Sequence, residues 1–326
     1  MPSFTKKPAS TALVTVAFAI VYIVWGSTYF FIQSAVQGGI PPFLLGAFRF
    51  LIAGMIMIAW CAFKGEKIFV RKNIFHASVS GVLLLFGGIG SVIWIEQTLP
   101  SGMVAIMVSS QPIFFVLLDV PNWSANFRSK AIITGLVIGF AGVILLFSSQ
   151  LGSIFNGSAT NSRLWGMLLV LAGTISWSLG SLYSKYKLTT GSAPVNTAWQ
   201  MLAAGCAFLL ISIPNHEFYA FHLYAVPGST WFALSYLILL GSIAGFTAYV
   251  WLLQVRSTTQ VSTYAYVNPV IAVILGILFA KEHISILQVA GLFTILGSVL
   301  LISLAKFRKE QRVKKKEMEY FARVTD

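Results

Sequence analysis

Arg49 is the one ionisable side chain that lies well inside a long apolar run. It sits about eight residues into the second run, hence roughly 12 Å deep at the helical rise per residue. A charge at that depth costs at least a few kcal/mol unless it is paired or wetted. Two assignments follow: Arg49 ties helices together through backbone carbonyls and Glu96, or it faces a cavity and meets an anionic group such as a substrate carboxylate. Its counterpart in the second half of the chain, Trp199-Gln200-Met201, is uncharged, so any site built on both halves is asymmetric.

Aromatic and amide side chains are the next candidates. Trp25 and Trp177 both fall near the middle of apolar runs at equivalent places in the two halves, whereas the tryptophans at 60, 94, 123, 165, 199, 231 and 251 fall near run ends, where amphipathic rings belong at the headgroup level. Phe18, Tyr22, Trp25 and Tyr29 recur at helical spacing and form one stripe, which serves either packing or a wall that stacks on planar or apolar ligands. Gln111-Pro112 and Asn268-Pro269 place an amide before a mid-run proline in each half. Each proline removes a backbone hydrogen bond, giving a kink or a hinge beside which Ser110, Gln111, Tyr264, Tyr266 and Asn268 offer polar groups to a substrate. Small-residue spacings such as Gly135 to Gly139 and Gly241 to Gly245 read as close helix packing and carry no chemistry.

Lys281-Glu282 falls at a run end, where ion pairs and capping are ordinary, and a coupling role for Glu282 or Glu96 has no support from depth. Enzyme signatures are missing: there is no H-E-x-x-H, P-loop or G-x-S-x-G, and the four histidines sit near run ends or in loops. No catalytic residue, cofactor, metal site or nucleic-acid partner is expected. Cys61 and Cys206 fall inside apolar runs and read as small buried side chains rather than a disulfide or metal pair.

The elements that must position these residues follow from composition. A chain of 326 residues with mean hydropathy +0.83, 57% hydrophobic and only 10% charged residues is not an ordinary soluble domain. Apolar runs near 20 residues predict ten spans, at 12–33, 41–63, 75–95, 101–119, 130–149, 164–186, 195–213, 230–253, 259–280 and 286–305. The expected fold is an all-α integral membrane protein of ten transmembrane helices. Pro112 and Pro269 superpose at a shift of about 157 residues, and Trp25 with Trp177 and the Pro42 and Pro194 regions at about 152, which marks an internal duplication.

Charge gives the orientation. Setting aside Arg49, only Arg163 and Lys281 fall on one side, leaving 19 of the 22 Lys and Arg on the other. The positive-inside rule therefore places both termini in the cytoplasm. Five spans per half is odd, so the halves cross in opposite senses as inverted five-helix repeats, an arrangement characteristic of secondary transporters. Residues 1–150 form the first repeat, 151–305 the second, and 306–326 a tail, whose stretch from Lys306 to Arg323 carries eight basic and three acidic residues and suits an anionic cytoplasmic leaflet. The loosest segment, Asn156 to Asn161, lies near the join.

Trp25-Gly26-Ser27 in the first span, Pro41-Pro42 followed by Arg49-Phe50, and Asn268-Pro269 trailed by Lys281-Glu282-His283 and Gly291, set in ten spans and two halves, resemble the EamA family of the drug/metabolite transporter superfamily over residues 12–305. The family's glutamate at the end of the penultimate helix of each half matches Glu282. Near Ala125, the equivalent place in the first half, there is no acid, and Asp119 is the nearest one. The resemblance implies an inner-membrane carrier, often an exporter, of amino acids or other small metabolites. A sugar-nucleotide or lipid-linked substrate would want more than one basic residue for its phosphates. An intramembrane enzyme would want carboxylates or histidines clustered at depth, and a receptor would have no need of inverted repeats.

Overall fold

The computed structural model describes residues 10–99, 101–146, 161–188 and 191–280, together with 285–287, 289–298, 300, 301 and 304. All regular elements among them are helical. In chain order the helices are α1 (Thr11–Gln37), α2 (Pro42–Phe63), α3 (Arg71–Ile95), α4 (Ser101–Val108), α5 (Gln111–Leu118), α6 (Trp123–Phe127), α7 (Lys130–Leu146), α8 (Asn161–Lys187), α9 (Ala193–Ser212), α10 (Glu217–Ala220), α11 (Gly228–Val255), α12 (Thr258–Val261), α13 (Tyr264–Ala280) and α14 (Val289–Ser298). Six of these, namely α1, α2, α3, α8, α9 and α11, are long and apolar enough to cross a membrane. The protein is a multi-pass membrane protein.

The remaining expected spans are shorter or interrupted. The run expected at 101–119 breaks into α4 and α5 at Ser109-Ser110, so Pro112 lies in the first turn of α5 and not in the middle of a helix. Proline suits that position because its missing N–H would have had no helical partner there. The Ser110 hydroxyl turns back to Met107 O at 2.8 Å and helps close the break. The run expected at 259–280 likewise begins with the single turn α12 before α13 restarts at Tyr264, while Pro269 does stay inside its helix. Asn156 through Thr160, Lys281, Glu282, His283, Lys6, Lys7 and the 306–326 tail lie outside the described residues. Cys61 is buried and Cys206 faces outward from α9, each a free thiol, so only the first fits the expectation of a buried small side chain.

Packing is densest where glycine lets backbones approach. α2 and α9 run antiparallel along most of their length: a Cβ on Gly46 would come 2.5 Å from Phe208 Cδ1, one on Gly54 2.8 Å from Leu202 Cγ, and one on Gly205 2.7 Å from Leu51 Cγ. α1 packs on α13 through Gly26, where a Cβ would meet Ile271 at 2.7 Å. Two of the long helices are not uniformly α-helical. α3 widens to a π-helix over Val82–Ile89 and α11 does so over Leu237–Ala244, at equivalent places in the two halves. Such widened turns re-aim side chains and backbone groups, and they recur at functional sites.

Candidate functional site

α1, α2, α3, α8 and α11 line a cavity between them, completed by α4, α5 and α13. α1 gives it Trp25, Thr28, Tyr29 and Ile32, which share one face at i, i+3, i+4 and i+7. Both π segments reach it, through Leu85, Gly88 and Ile89 from α3 and through Gly241 and Ser242 from α11.

The aromatic wall is a cluster of edge-to-face and tilted rings. Trp25 and Trp177 meet edge to face with centroids 5.4 Å apart at 86°, which joins the two halves at the residues that the duplication pairs. Tyr264 meets Trp25 at 5.1 Å and 86°, and Tyr249 lies 4.9 Å from Trp25 and 5.6 Å from Trp177. The polar tips of these rings are bonded within the protein. Trp25 Nε1 donates to Gly241 O at 3.0 Å, Trp177 Nε1 to the Tyr249 hydroxyl at 3.1 Å, and the Tyr264 hydroxyl to Gln111 Oε1 at 2.5 Å. Asn268, with its amide nitrogen directed at two carbonyls, donates to Tyr264 O at 3.0 Å and to Tyr22 O at 3.1 Å, which ties α13 to α1. What the cluster offers the cavity is therefore mostly ring surface.

Arg49 is different. It is 3% exposed, its Nε donates to the Ser242 hydroxyl at 2.9 Å, and its guanidinium carbon lies 4.9 Å from the centre of the Phe50 ring. Nη1 is buried and has no hydrogen-bond partner among the described residues. Removing a guanidinium N–H from water without a partner costs about 1–3 kcal/mol, and more for a charged group, so the site is poised for an acceptor. A carboxylate oxygen placed there would gain a charge-assisted bond. The site can thus hold an anion at one point while flat apolar surface covers the rest of a ligand.

Of the nine residues singled out in the sequence, seven line this cavity: Trp25, Tyr29, Arg49, Gln111, Trp177, Tyr264 and Asn268. Ser110 does not; its hydroxyl, in the break between the two helices, is directed back at Met107 O of α4. The side chain of Tyr266 lies outside the described residues. Phe18 and Tyr22 leave the wall; their rings pair at 5.6 Å, and the Tyr22 hydroxyl bonds the Thr263 hydroxyl at 2.6 Å. Sequence reasoning missed Thr28, Thr174, Ser91 and Ser242, which line the cavity, and assigned Gly241 and Gly245 to helix packing alone. In the structure a Cβ on Gly241 would come 3.1 Å from Arg49 Nη2, and one on Gly245 2.5 Å from Trp25 Nε1. At the offset of 155 residues that relates the two π segments, Gly245 aligns with Gly90 of the first half, whereas Gly241 aligns with Phe86.

Comparison with known proteins gives the family and the fold. The model of the EamA-like transporter family matches the chain twice, over residues 12–148 and 164–304. The uncharacterized inner membrane transporter YedA of Escherichia coli K12 is 35% identical over 88% of this chain and 89% of its own. The uncharacterized transporter YvbV of Bacillus subtilis is 28% identical over 91% and 93%. A probable amino-acid metabolite efflux pump of Salmonella typhimurium is 23% identical over 89% and 94%. The crystal structure of a protein 20% identical in sequence superposes with a TM-score of 0.66, covering 92% of this chain and all of that one, so the fold is shared.

Proposed function

This chain belongs to the EamA-like transporter family, and from that premise we propose that it exports a small organic metabolite bearing a carboxylate, amino acids included, by alternating access of the central cavity. The observation that carries the proposal is Arg49: a buried guanidinium with one N–H unpartnered among the described residues, set in an aromatic wall. The charge of Glu96 reaches Arg49 but makes no hydrogen bond to Nη1, which leaves that N–H for a ligand. Among the described residues Arg49 is the single basic one in the cavity wall, which favours a carboxylate over the phosphates of a sugar nucleotide, which want several. Outward direction is supported by the likeness to an amino-acid metabolite efflux pump.

In this reading the chain forms ten membrane-crossing segments, counting the interrupted α4–α5 and α12–α13 runs as one each, in inverted halves at 1–150 and 151–305. Reciprocal packing of equivalent residues in α2 and α9 supports it. Both termini and the basic tail face the cytoplasm of a bacterial inner membrane. Exchange of conformations between the halves then opens the cavity to either side. Overexpression in a bacterial host, followed by a growth-inhibition and efflux screen over amino acids, small organic acids and their uncharged analogues, tests the proposal. Tolerance and faster efflux confined to carboxylate-bearing compounds are expected; a response confined to uncharged or phosphorylated compounds would overturn it.

A further inference from the structure

The α2–α9 pair is built reciprocally. Leu51 packs on Gly205 as Leu202 packs on Gly54, and each pair of equivalent residues is offset by 151 positions. Two helices that exchange i-to-j contacts in this way are related by a local two-fold axis through their crossing point. The same offset relates two acids at opposite ends of the pair. Glu217, in the segment that follows α9, accepts hydrogen bonds from the first turn of α2, from Phe43 N at 3.1 Å and Leu44 N at 2.6 Å. Glu66, in the segment that follows α2, accepts a hydrogen bond from Ser192 Oγ, and Ser192 is the N-cap of α9, accepting from Val195 N at 3.3 Å.

The small asymmetry has a chemical cause. α9 opens with a serine able to cap it, so Glu66 engages the cap. α2 opens with Pro41-Pro42, which has no hydroxyl, and there the carboxylate of Glu217 takes the place of the cap itself. A negative group at a helix N-terminus also meets the positive end of the helix dipole. Glu217 is 7% exposed, so water competes little for these bonds. Both end contacts are present in one structure, together with the glycine-mediated contact along the middle.

We propose that α2 and α9 form a fixed spine, pinned at its two ends by Glu217 and Glu66, about which the other helices move when the cavity changes sides. A gate would hold one end closed while the other is open. Here each half grips the other at both ends simultaneously, which suits a part that does not open in either state. The inference rests on the alternating-access reading above and adds which part stays still.

The test locks the spine. In a Cys61→Ala, Cys206→Ala background, Gly54→Cys with Leu202→Cys is oxidised to a disulfide, and Leu51→Cys with Gly205→Cys provides a second pair should the first fail to fold. Thr174→Cys in the cavity reports access through labelling by a membrane-impermeant methanethiosulfonate, applied to right-side-out and inside-out vesicles. With the spine reduced, labelling from both sides is expected; labelling from one side only would overturn the alternating-access reading and this inference with it. With the spine oxidised, labelling from both sides at rates within about twofold of the reduced protein is the predicted result. Two-sided access that becomes one-sided on oxidation and returns with reductant would overturn the spine while leaving alternating access intact. Glu66→Ala and Glu217→Ala sharpen the distinction. As pins they lower the melting temperature and leave the ratio of the two labelling rates unchanged; a ratio shifted in opposite directions by the two variants would make them gates.

Discussion

Arg49 and Gln200 occupy equivalent positions in the two halves and do opposite things. Arg49 lines the cavity, bonded by Nε to Ser242 in the widened turn of α11, with Nη1 unpartnered among the described residues. Gln200 is fully buried and does not line the cavity; its amide nitrogen donates to the Ser80 hydroxyl at 2.9 Å and the Ser184 hydroxyl at 3.2 Å, knitting α9 to α3 and α8, and its own unpartnered atom, Oε1, is closed off from the cavity. The duplication supplied a scaffold with paired tryptophans, paired π segments and paired end contacts. Chemistry enters where one copy departs from the other. A symmetric cavity would present the same field to both ends of a ligand, whereas a single guanidinium gives it a direction.

The contrast predicts that substitution separates the pair. Arg49→Leu removes a charge-assisted contact worth on the order of 1.5–3 kcal/mol, so transport per folded molecule should fall by about one to two decades, with Arg49→Lys recovering part because it lacks the planar fork. Gln200→Leu should instead lower thermal stability, by about 1–3 kcal/mol, with transport per folded molecule within about twofold of wild type. Initial rates in proteoliposomes, normalised to monodisperse protein, distinguish the two. Equal losses of transport from both would erase the asymmetry.

Ser242→Ala is expected to have the next largest effect. It frees Arg49 Nε, so the guanidinium loses its fixed aim and KM should rise about threefold to tenfold, on the order of 1 kcal/mol, with little change in kcat. The two tryptophans then refine the picture. Trp25→Phe strands Gly241 O in the π segment beside Arg49 and should raise KM about threefold, while Trp177→Phe leaves the Tyr249 hydroxyl still bonded to Ser181 at 2.7 Å and should change KM less. Equal shifts would mean that the ring cluster acts as one body rather than through the Arg49 side.

The smallest effect concerns the end contact at Glu217. Burial lifts its carboxyl above the ordinary value near 4.5, with the N–H groups of Phe43 and Leu44 opposing the rise. A carboxyl with a higher pKa in the folded than in the unfolded state holds its proton more tightly when folded. Its contribution to stability is therefore greatest below about 4.5 and declines as pH rises through the folded value. The melting temperature should fall slightly over that window in wild type, and Glu217→Gln should remove this part of the slope.

Much of this was legible in the chain because depth in an apolar run and equivalence under duplication are both properties of order. Depth singled out Arg49, and equivalence singled out Trp25 with Trp177. Spacing could not distinguish Gly241 as a carbonyl acceptor beside the cavity from Gly241 as a packing residue, since both uses want a glycine on a buried face. The π segments left no hydropathy signature, because a shifted backbone hydrogen bond changes no side chain. Pro112 was read as a mid-helix kink, yet Ser109-Ser110 could end the helix before it, since hydroxyls that bond nearby carbonyls offer the backbone an alternative partner. Glu217 carries no mark in the sequence that sets it apart from other loop acids; the proline-started, uncapped α2 gives it a role.

The central claim is that Arg49 recognises an anionic group inside the aromatic cavity, and ligand-induced thermal stabilisation tests it most directly. A ligand that binds only the folded state raises stability by about 2.7 kcal/mol at a hundred times its Kd, whatever its transport rate. Candidate carboxylates and their neutral amides are compared on detergent-solubilised wild type and Arg49→Leu. Arg49 as the anion-recognising group predicts stabilisation of wild type by the carboxylate, little by the amide, and little by either in the variant. Equal stabilisation of wild type and Arg49→Leu by the same carboxylate would contradict it.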